Sequence, residues 1–303
     1  MPSSEQYRQQ VRLLMRLLPL VAEEPCFALK GGTAINLFVR DLPRLSVDID
    51  LVYLPVNGRS EALADIDTAM KRIETRIMAA LPAAIIGQTV REGAVLRLAV
   101  RTERTQVKIE VSPVLRGVVQ EPALRSVSPA VEDQYGFAEI RLVSFADLYA
   151  GKLVAALDRQ HPRDLFDVRD LLANEGLTPE LREAFLVYLI SHDRPMAEVL
   201  SCRFKDIRAT FTDNFDGMTE TPITLAELES TREELVRSLV RDMPQAHKDF
   251  LLGFEAGRPD WNLLSAPHAA ELPAVRWRQI NLDKLDPAAR NRLVVSLRKV
   301  ICG

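Results

Sequence analysis

The chain has 303 residues, with 39 Lys+Arg against 42 Asp+Glu and a formal net charge of -3. Near-neutrality excludes a protein that coats nucleic acid through a uniform positive field, but it leaves room for a local basic groove. At 47% hydrophobic and 27% charged, the composition is that of an ordinary globular protein, and the length suggests two domains.

Tyr7, Val11, Leu14, Met15 and Leu18 recur at helical spacing, which predicts an amphipathic helix ending near Pro19. The polar start of the chain shows no signal-peptide pattern. The apolar run from Leu13 to Ala22 is broken by Arg16 and Pro19 and falls short of the roughly 20 residues that span a bilayer. The next stretch, FALKGGTAINLFVRDLPRLSVDIDLVYL over 27–54, reads as a strand running into Gly31-Gly32 and a short helix from Thr33 to about Arg40. Its last part, LSVDIDLVYL, alternates apolar and polar residues and predicts a half-buried strand. Leu63, Ile66, Met70, Ile73 and Ile77 mark a further helix, and AVLRLAVR with TQVKIEVSP predicts an antiparallel hairpin turning at 102–104. The stretch from Val127 to Gly136 is polar and carries no predicted element, while EIRLV reads as a short strand. Ser144, with Asp147 three residues on, resembles a capping box. From there helices are predicted over 145–158, 163–174, 179–191, 195–209, 224–241 and 287–301. The pattern is α+β up to residue 143 and all-α over 144–303, which sets the expected domain boundary.

Cys26, Cys202 and Cys302 lie far apart with no CxxC spacing, so neither a common zinc site nor a disulfide framework is expected, and the cysteine usage suits a reducing cytoplasm. The four histidines, His161, His192, His247 and His268, show no ligand spacing. Trp261 and Trp277 read as buried aromatic anchors of the helical half rather than base-stacking platforms.

The chemistry concentrates around the glycine pair. Side chains two apart on a strand share a face, so Ser46, Asp48 and Asp50 point one way while Val47, Ile49 and Leu51 point into a core. Two carboxylates at that spacing suit a hard divalent cation. By the same parity Lys108, Glu110 and Ser112 share a face, and Glu110 can stand beside the first two if the strands are neighbours. Gly31 and Gly32 let the backbone approach a bulky ligand, and a helix starting at Thr33 offers amides and a positive dipole end to phosphate. A lone DxD is usually a solvated strand edge and a lone GG a turn, but their conjunction points to phosphoryl or nucleotidyl transfer from a nucleoside triphosphate.

Lys30 to Leu37, K-G-G-T-A-I-N-L, with Arg44 to Leu51, R-L-S-V-D-I-D-L, resembles the signature of the AbiEii-type nucleotidyltransferase toxins, within the polymerase β-like nucleotidyltransferase superfamily. Gly151 to Arg159, G-K-L-V-A-A-L-D-R, and Arg163 to Val168, R-D-L-F-D-V, resemble that family's later motifs, and the stretches F-L-L-G-F-E-A-G-R-P-D-W-N-L-L and L-P-A-V-R-W resemble its C-terminal part. The resemblance implies an N-terminal nucleotidyltransferase fold with a small mixed or antiparallel sheet flanked by helices, followed by an all-α domain. It also implies magnesium- or manganese-dependent transfer of a nucleoside monophosphate from an NTP to an acceptor, in several relatives the 3′ end of tRNA, held in check by a cognate antitoxin protein. By motif position Asp48 and Asp50 would be catalytic metal ligands with Glu110 as a third. Gly31, Gly32, Thr33, Ser46 and Lys152 would contact the triphosphate or nucleotide, and Lys152 and Asp167 would be further catalytic residues. Some relatives are silenced by phosphorylation at the position of Ser46.

On spacing alone, Lys152 sits beside a core stripe of Leu153, Ala156 and Leu157 and would snorkel to solvent, and Arg163 with Asp167 would form a surface ion pair. Cations for an RNA acceptor are available in two stretches. Arg276, Arg278, Lys284, Arg290, Arg292, Arg298 and Lys299 face only Asp283 and Asp286, and Arg91, Arg97, Arg101, Arg104 and Lys108 face Glu92 and Glu103. The expectation is a cytoplasmic monomer with no membrane segment. A protein or small-molecule acceptor, or a silent nucleotide- or antitoxin-binding module, remains an alternative.

Overall fold

The computed structural model describes residues 4–103 and 105–303, so Arg104 and the first three residues lie outside the described part. The chain forms two compact units, one of residues up to Ser144 with Gly217–Thr221, the other of Phe145–Asp216 and Pro222–Gly303.

The first unit is a seven-stranded mixed sheet with helices packed on it. α1 (Ser4–Ala22) buries Val11, Leu14, Leu17, Leu18 and Val21 and continues through Pro19. The buried stripe on either side of the proline holds the helix together past the expected end. β1 (Phe27–Lys30) leads into α2 (Gly31–Ala34), which continues as a π-helical turn over Ile35–Val39. This helix therefore starts two residues before Thr33. β2 (Ile49–Tyr53) is shorter than the alternation over 45–54 suggests. Pro43–Leu45 pair instead with the returning segment 217–220: Leu45 N–H donates to Met218 O at 2.9 Å, Glu220 N–H to Pro43 O at 3.0 Å, and Arg44 forms an antiparallel bridge with Thr219. Ser46, Val47 and Asp48 thus belong to a connecting loop, and Val47 is half-buried rather than a core residue.

α3 (Arg59–Ala80) buries Ile66, Met70, Ile73 and Ile77 and packs on β4 (Ala94–Arg101) and β5 (Gln106–Arg116). The sheet order is β3-β4-β5-β2-β1-β7-β6, where β3 is Ile85–Arg91, β6 Ala123–Ser126 and β7 Glu139–Leu142. β2 runs parallel to β5 and β1 parallel to β7, and the remaining neighbours are antiparallel. The two elements that alternation does not reveal are the edge strands β3 and β6, both largely exposed. α4 (Pro129–Tyr135), in the stretch without a predicted element, starts on a Ser128 side-chain cap with Pro129 in the first turn.

The second unit is helical throughout. α5 (Phe145–Asp158) buries Leu153, Ala156 and Leu157 and packs on α6 (Pro162–Asn174) and α7 (Pro179–Ile190). The expected single helix over 195–209 is two pieces, α8 (Met196–Ser201) and α9 (Arg208–Asn214), because Cys202 adopts left-handed backbone with φ 36. α10 (Leu225–Val236) opens with a capping box at Thr224 and Glu227 and ends in a π-helical turn, Arg237–Arg241. α11 (Gln245–Glu255), α12 (Pro273–Asp283) and α13 (Pro287–Cys302) complete the unit. Trp261 packs edge-on against Phe250 with ring centroids 5.0 Å apart, whereas Trp277 is 61% exposed and is not the buried anchor expected. Among the described residues no helix is long and apolar enough to cross a membrane.

Candidate active site

β1 delivers the chain to Gly31, whose φ of +79 is a conformation that L side chains rarely adopt. A Cβ at Gly31 would stand 2.6 Å from Asp50 Oδ2, so backbone and space both demand glycine. At Gly32 a Cβ would meet Arg44 Nη2 and Ser46 Oγ, each at 2.7 Å. The helix start and the Ser46–Asp50 segment therefore approach each other with no side chain between them. The Asp50 carboxylate lies against the first helical residue, where the helix dipole favours negative charge. Buried Thr33 places its hydroxyl oxygen 3.3 Å from that of Ser46. Sequence spacing proposed this conjunction; the contact between the glycine backbone and the two side chains is what the structure adds.

Asn36, fully buried in the π-helical turn, ties the two segments together. Its Nδ2 donates to Gly32 O at 2.7 Å, and its Oδ1 accepts from Arg44 N–H at 3.3 Å. Arg44, 4% exposed, also donates from Nη1 to Leu45 O at 2.9 Å. π-helical turns recur at functional sites. The pairing of Pro43–Leu45 with 217–220 pins the loop from its other side. Neither Asn36 nor the returning segment was singled out from the sequence, because a lone buried Asn and a polar connection carry no periodic signal.

Across the sheet Lys30, Asp50, Glu110 and Arg97 occupy one row, each in register with the next. Glu110 does stand beside Asp50, but its Oε2 is held by Arg97, at 2.9 Å from Nε and 2.7 Å from Nη2. Burial pulls the Lys30 ammonium below the usual lysine range, and the charges of Asp50 and Glu110 oppose that pull. Asp48 is exposed and Asp50 half-buried. Among the described residues no group of three or more His, Cys, Asp or Glu side chains is placed to hold a metal. Two carboxylates suffice for a magnesium ion that takes its other oxygens from water and substrate phosphates, so the donor set of Asp48 and Asp50 fits such an ion.

In the helical unit Lys152 does not snorkel. It is 9% exposed, with Nζ 2.8 Å from Asp164 Oδ1 and 3.0 Å from Asp167 Oδ2. Arg159 closes on Asp164 Oδ2 at 2.5 Å. Burial alone would raise the Asp164 carboxyl, but Lys152 and Arg159 outweigh it and hold it below the ordinary carboxylate range. Asp167 thus keeps the company of Lys152 in the interior, and Asp164 is bound into the same cluster.

The basic stretch of 276–299 divides by use. Arg276 pairs with Glu271, Arg278 lies 3.7 Å from buried Glu255, and Arg290 donates to the Leu282 carbonyl at the end of α12. Lys284 stands over the Trp277 ring at 5.7 Å. Arg292, Arg298 and Lys299 are exposed on α13. In the other stretch Arg97 is committed to Glu110 and Arg101 to Gln106.

The profile of a family described as "Nucleotidyl transferase AbiEii toxin, Type IV TA system" matches residues 12–278. Among solved structures the chain is similar to MenT4, a nucleotidyltransferase toxin from Mycobacterium tuberculosis H37Rv, with 17% identity and a TM-score of 0.53 over 97% of this chain and 91% of that one. At that identity the likeness shows the fold. No curated protein matches the chain significantly.

Proposed function

The chain belongs to the AbiEii nucleotidyl transferase toxin family of type IV toxin–antitoxin systems, and from that premise we propose that it transfers a nucleoside monophosphate from an NTP to RNA, at the 3′ end of tRNA, blocking translation and arresting growth. The observation that carries this reading is the approach of Asp50 and Ser46 to the bare backbone of Gly31 and Gly32. It gathers carboxylate, hydroxyl and helix amides where a triphosphate and its cation would meet.

In this reading an acceptor hydroxyl oxygen attacks the α-phosphorus, and the bond to the pyrophosphate oxygen breaks. Gly31, Gly32, Thr33 and Ser46 bind and orient the triphosphate, which a helix N-terminus favours. Asp48 and Asp50 would hold magnesium or manganese, which supplies charge neutralisation at the reacting oxygens. Glu110 is the third carboxylate of the proposal and must exchange Arg97 for the cation to serve. By motif position Lys152 and Asp167 are further catalytic residues of the proposal, and Asp167 with Asp164 keeps the Lys152 side chain charged and ordered. The cognate antitoxin is the partner that restrains the activity, and the cytoplasm is where tRNA and NTPs meet it.

The test is incubation of the purified protein with magnesium, each of four labelled NTPs in turn, and total RNA or protein extract. Label in tRNA that disappears in Asp48→Ala supports the reading. Label in protein or small molecules instead overturns the RNA acceptor, and growth arrest that survives Asp48→Ala overturns catalysis as the toxic act.

A further inference from the structure

The helical unit contains a second polar site, apart from the residues assigned above. A cavity of about 380 Å³ opens between the end of α5, at Asp158 and Gln160, and the end of α8 with the segment after it, at Cys202, Arg203 and Lys205. Two non-glycine residues of its wall hold left-handed backbone, Gln160 at φ 54 and Cys202 at φ 36. Such conformations are strained for L-residues and persist where surrounding bonds over-determine them, commonly at ligand sites. Gln160 supplies those bonds: its Nε2 donates to Arg203 O at 2.8 Å, and its Oε1 accepts from Lys205 N–H and from Arg232 Nη1, both at 3.0 Å.

The charges around the cavity do not balance. Its carboxylates, Asp158 and Glu198, are both bound by Arg194. Arg203 and Lys205, two residues apart, both line the cavity, while Phe204 between them turns onto the Arg232 guanidinium at 4.3 Å. Lys205 Nζ donates to the main-chain oxygen of Asp158 at 2.8 Å, a neutral acceptor. Behind this wall Arg232 is 5% exposed and bonded to Gln160 and to the Lys205 carbonyl at 2.8 Å. Its Nε is buried without a hydrogen-bond partner. Among the described residues neither Arg203, Lys205 nor Arg232 has a carboxylate partner. Arg203 and Lys205 are exposed to solvent at the mouth and only Arg232 is buried. A buried cation without a counter-charge is costly, and with two further cations lining the cavity in front of it an anion is favoured there.

We propose that this cavity binds a phosphate group, with Arg203 and Lys205 as its direct ligands and Arg232 as the buried source of positive field. The volume suits a phosphate with an attached sugar. The phosphate comes from an RNA strand or from a free nucleotide or pyrophosphate, and the experiment separates the two. Full-length wild type and Arg203→Gln/Lys205→Gln are titrated with fluorescent tRNA over a series of salt concentrations, and with inorganic pyrophosphate by calorimetry. The RNA source predicts about tenfold weaker tRNA binding and a log–log salt slope shallower by about 0.7 for one lost phosphate contact. The free-phosphate source predicts unchanged tRNA binding with one pyrophosphate site fewer. In either case Arg203→Lys/Lys205→Arg restores binding. A double Gln variant that binds both probes as wild type does, or a wild type that binds neither, overturns the proposal. Both readouts are of binding and do not depend on nucleotidyl transfer, so failure of the catalytic reading leaves them interpretable.

Discussion

Gly31→Ala isolates the contact on which the site is built, and Gly93 provides its control. Both glycines have φ +79, but nothing lies within 4 Å of a Cβ at Gly93, whereas at Gly31 the Asp50 Oδ2 would be 2.6 Å away. Alanine in left-handed backbone costs about 1 kcal/mol, so Gly93→Ala should melt roughly 2–4 °C below wild type and Gly31→Ala at least as far below. Only Gly31→Ala must also move Asp50, by about 0.8 Å or more before the contact becomes an ordinary one of at least 3.4 Å. A displacement near 1 Å at reacting groups costs on the order of 100-fold in rate. The assay pairs a thermal melt with label transfer from NTP to RNA. Gly31→Ala is expected to lose at least as much stability as Gly93→Ala, with transfer lost only in Gly31→Ala. Gly31→Ala that transfers within about threefold of wild type, or Gly93→Ala that loses transfer equally, refutes the reasoning.

Three further outcomes follow from the same geometry. Asn36→Ala strands the Arg44 N–H and takes one of two donors from the Gly32 carbonyl, which keeps the Ile35 N–H. It should cost about 1–2 kcal/mol in denaturant unfolding and lower transfer at least about tenfold, and wild-type transfer would remove Asn36 as a positioning residue. Asp164 has a depressed folded-state pKa, so its stabilisation is complete above the unfolded carboxylate pKa of about 4 and is lost as pH falls toward the folded value. Asp164→Asn should therefore flatten the acid limb of the melting-temperature profile below about pH 4 and lower stability at pH 7 by about 3 kcal/mol; an unchanged acid limb contradicts the Lys152 cluster as drawn. Arg290→Gln should destabilise α12 and α13 through its lost bonds to Leu282 O, whereas Arg292→Gln/Arg298→Gln/Lys299→Gln should leave the melt unchanged and reduce tRNA affinity and its salt dependence. The reverse assignment would show that the free cations on α13 are only a solvated face.

What could be read in advance depended on whether a residue declares itself by period. The α+β half followed by helices and the Leu153–Ala156–Leu157 stripe of α5 follow from alternation and helical spacing, because each buries one face. Alternation gives Glu110 its face, but the parallel pairing that brings it beside Asp50 comes from the fold. Strand β3 escaped because it buries neither face fully, as an edge strand need not. The break at Cys202 escaped because a left-handed residue other than glycine leaves no mark in the pattern. Alternation over 45–48 also misleads: Pro43–Leu45 take their partners from 217–220, a pairing no local pattern encodes. By spacing Asp167 looks like half of a surface ion pair with Arg163, and only the fold reveals that it and Asp164 both turn inward to Lys152.

The central claim is tested most directly by the mass of the acceptor. Purified tRNA incubated with the protein, magnesium and the preferred NTP should gain the mass of one or more nucleoside monophosphates at its 3′ end. Pyrophosphate should be released in equal amount, and both signals should vanish with Asp48→Asn. An unmodified tRNA under conditions where wild type arrests growth, or modification that persists in Asp48→Asn, would contradict it.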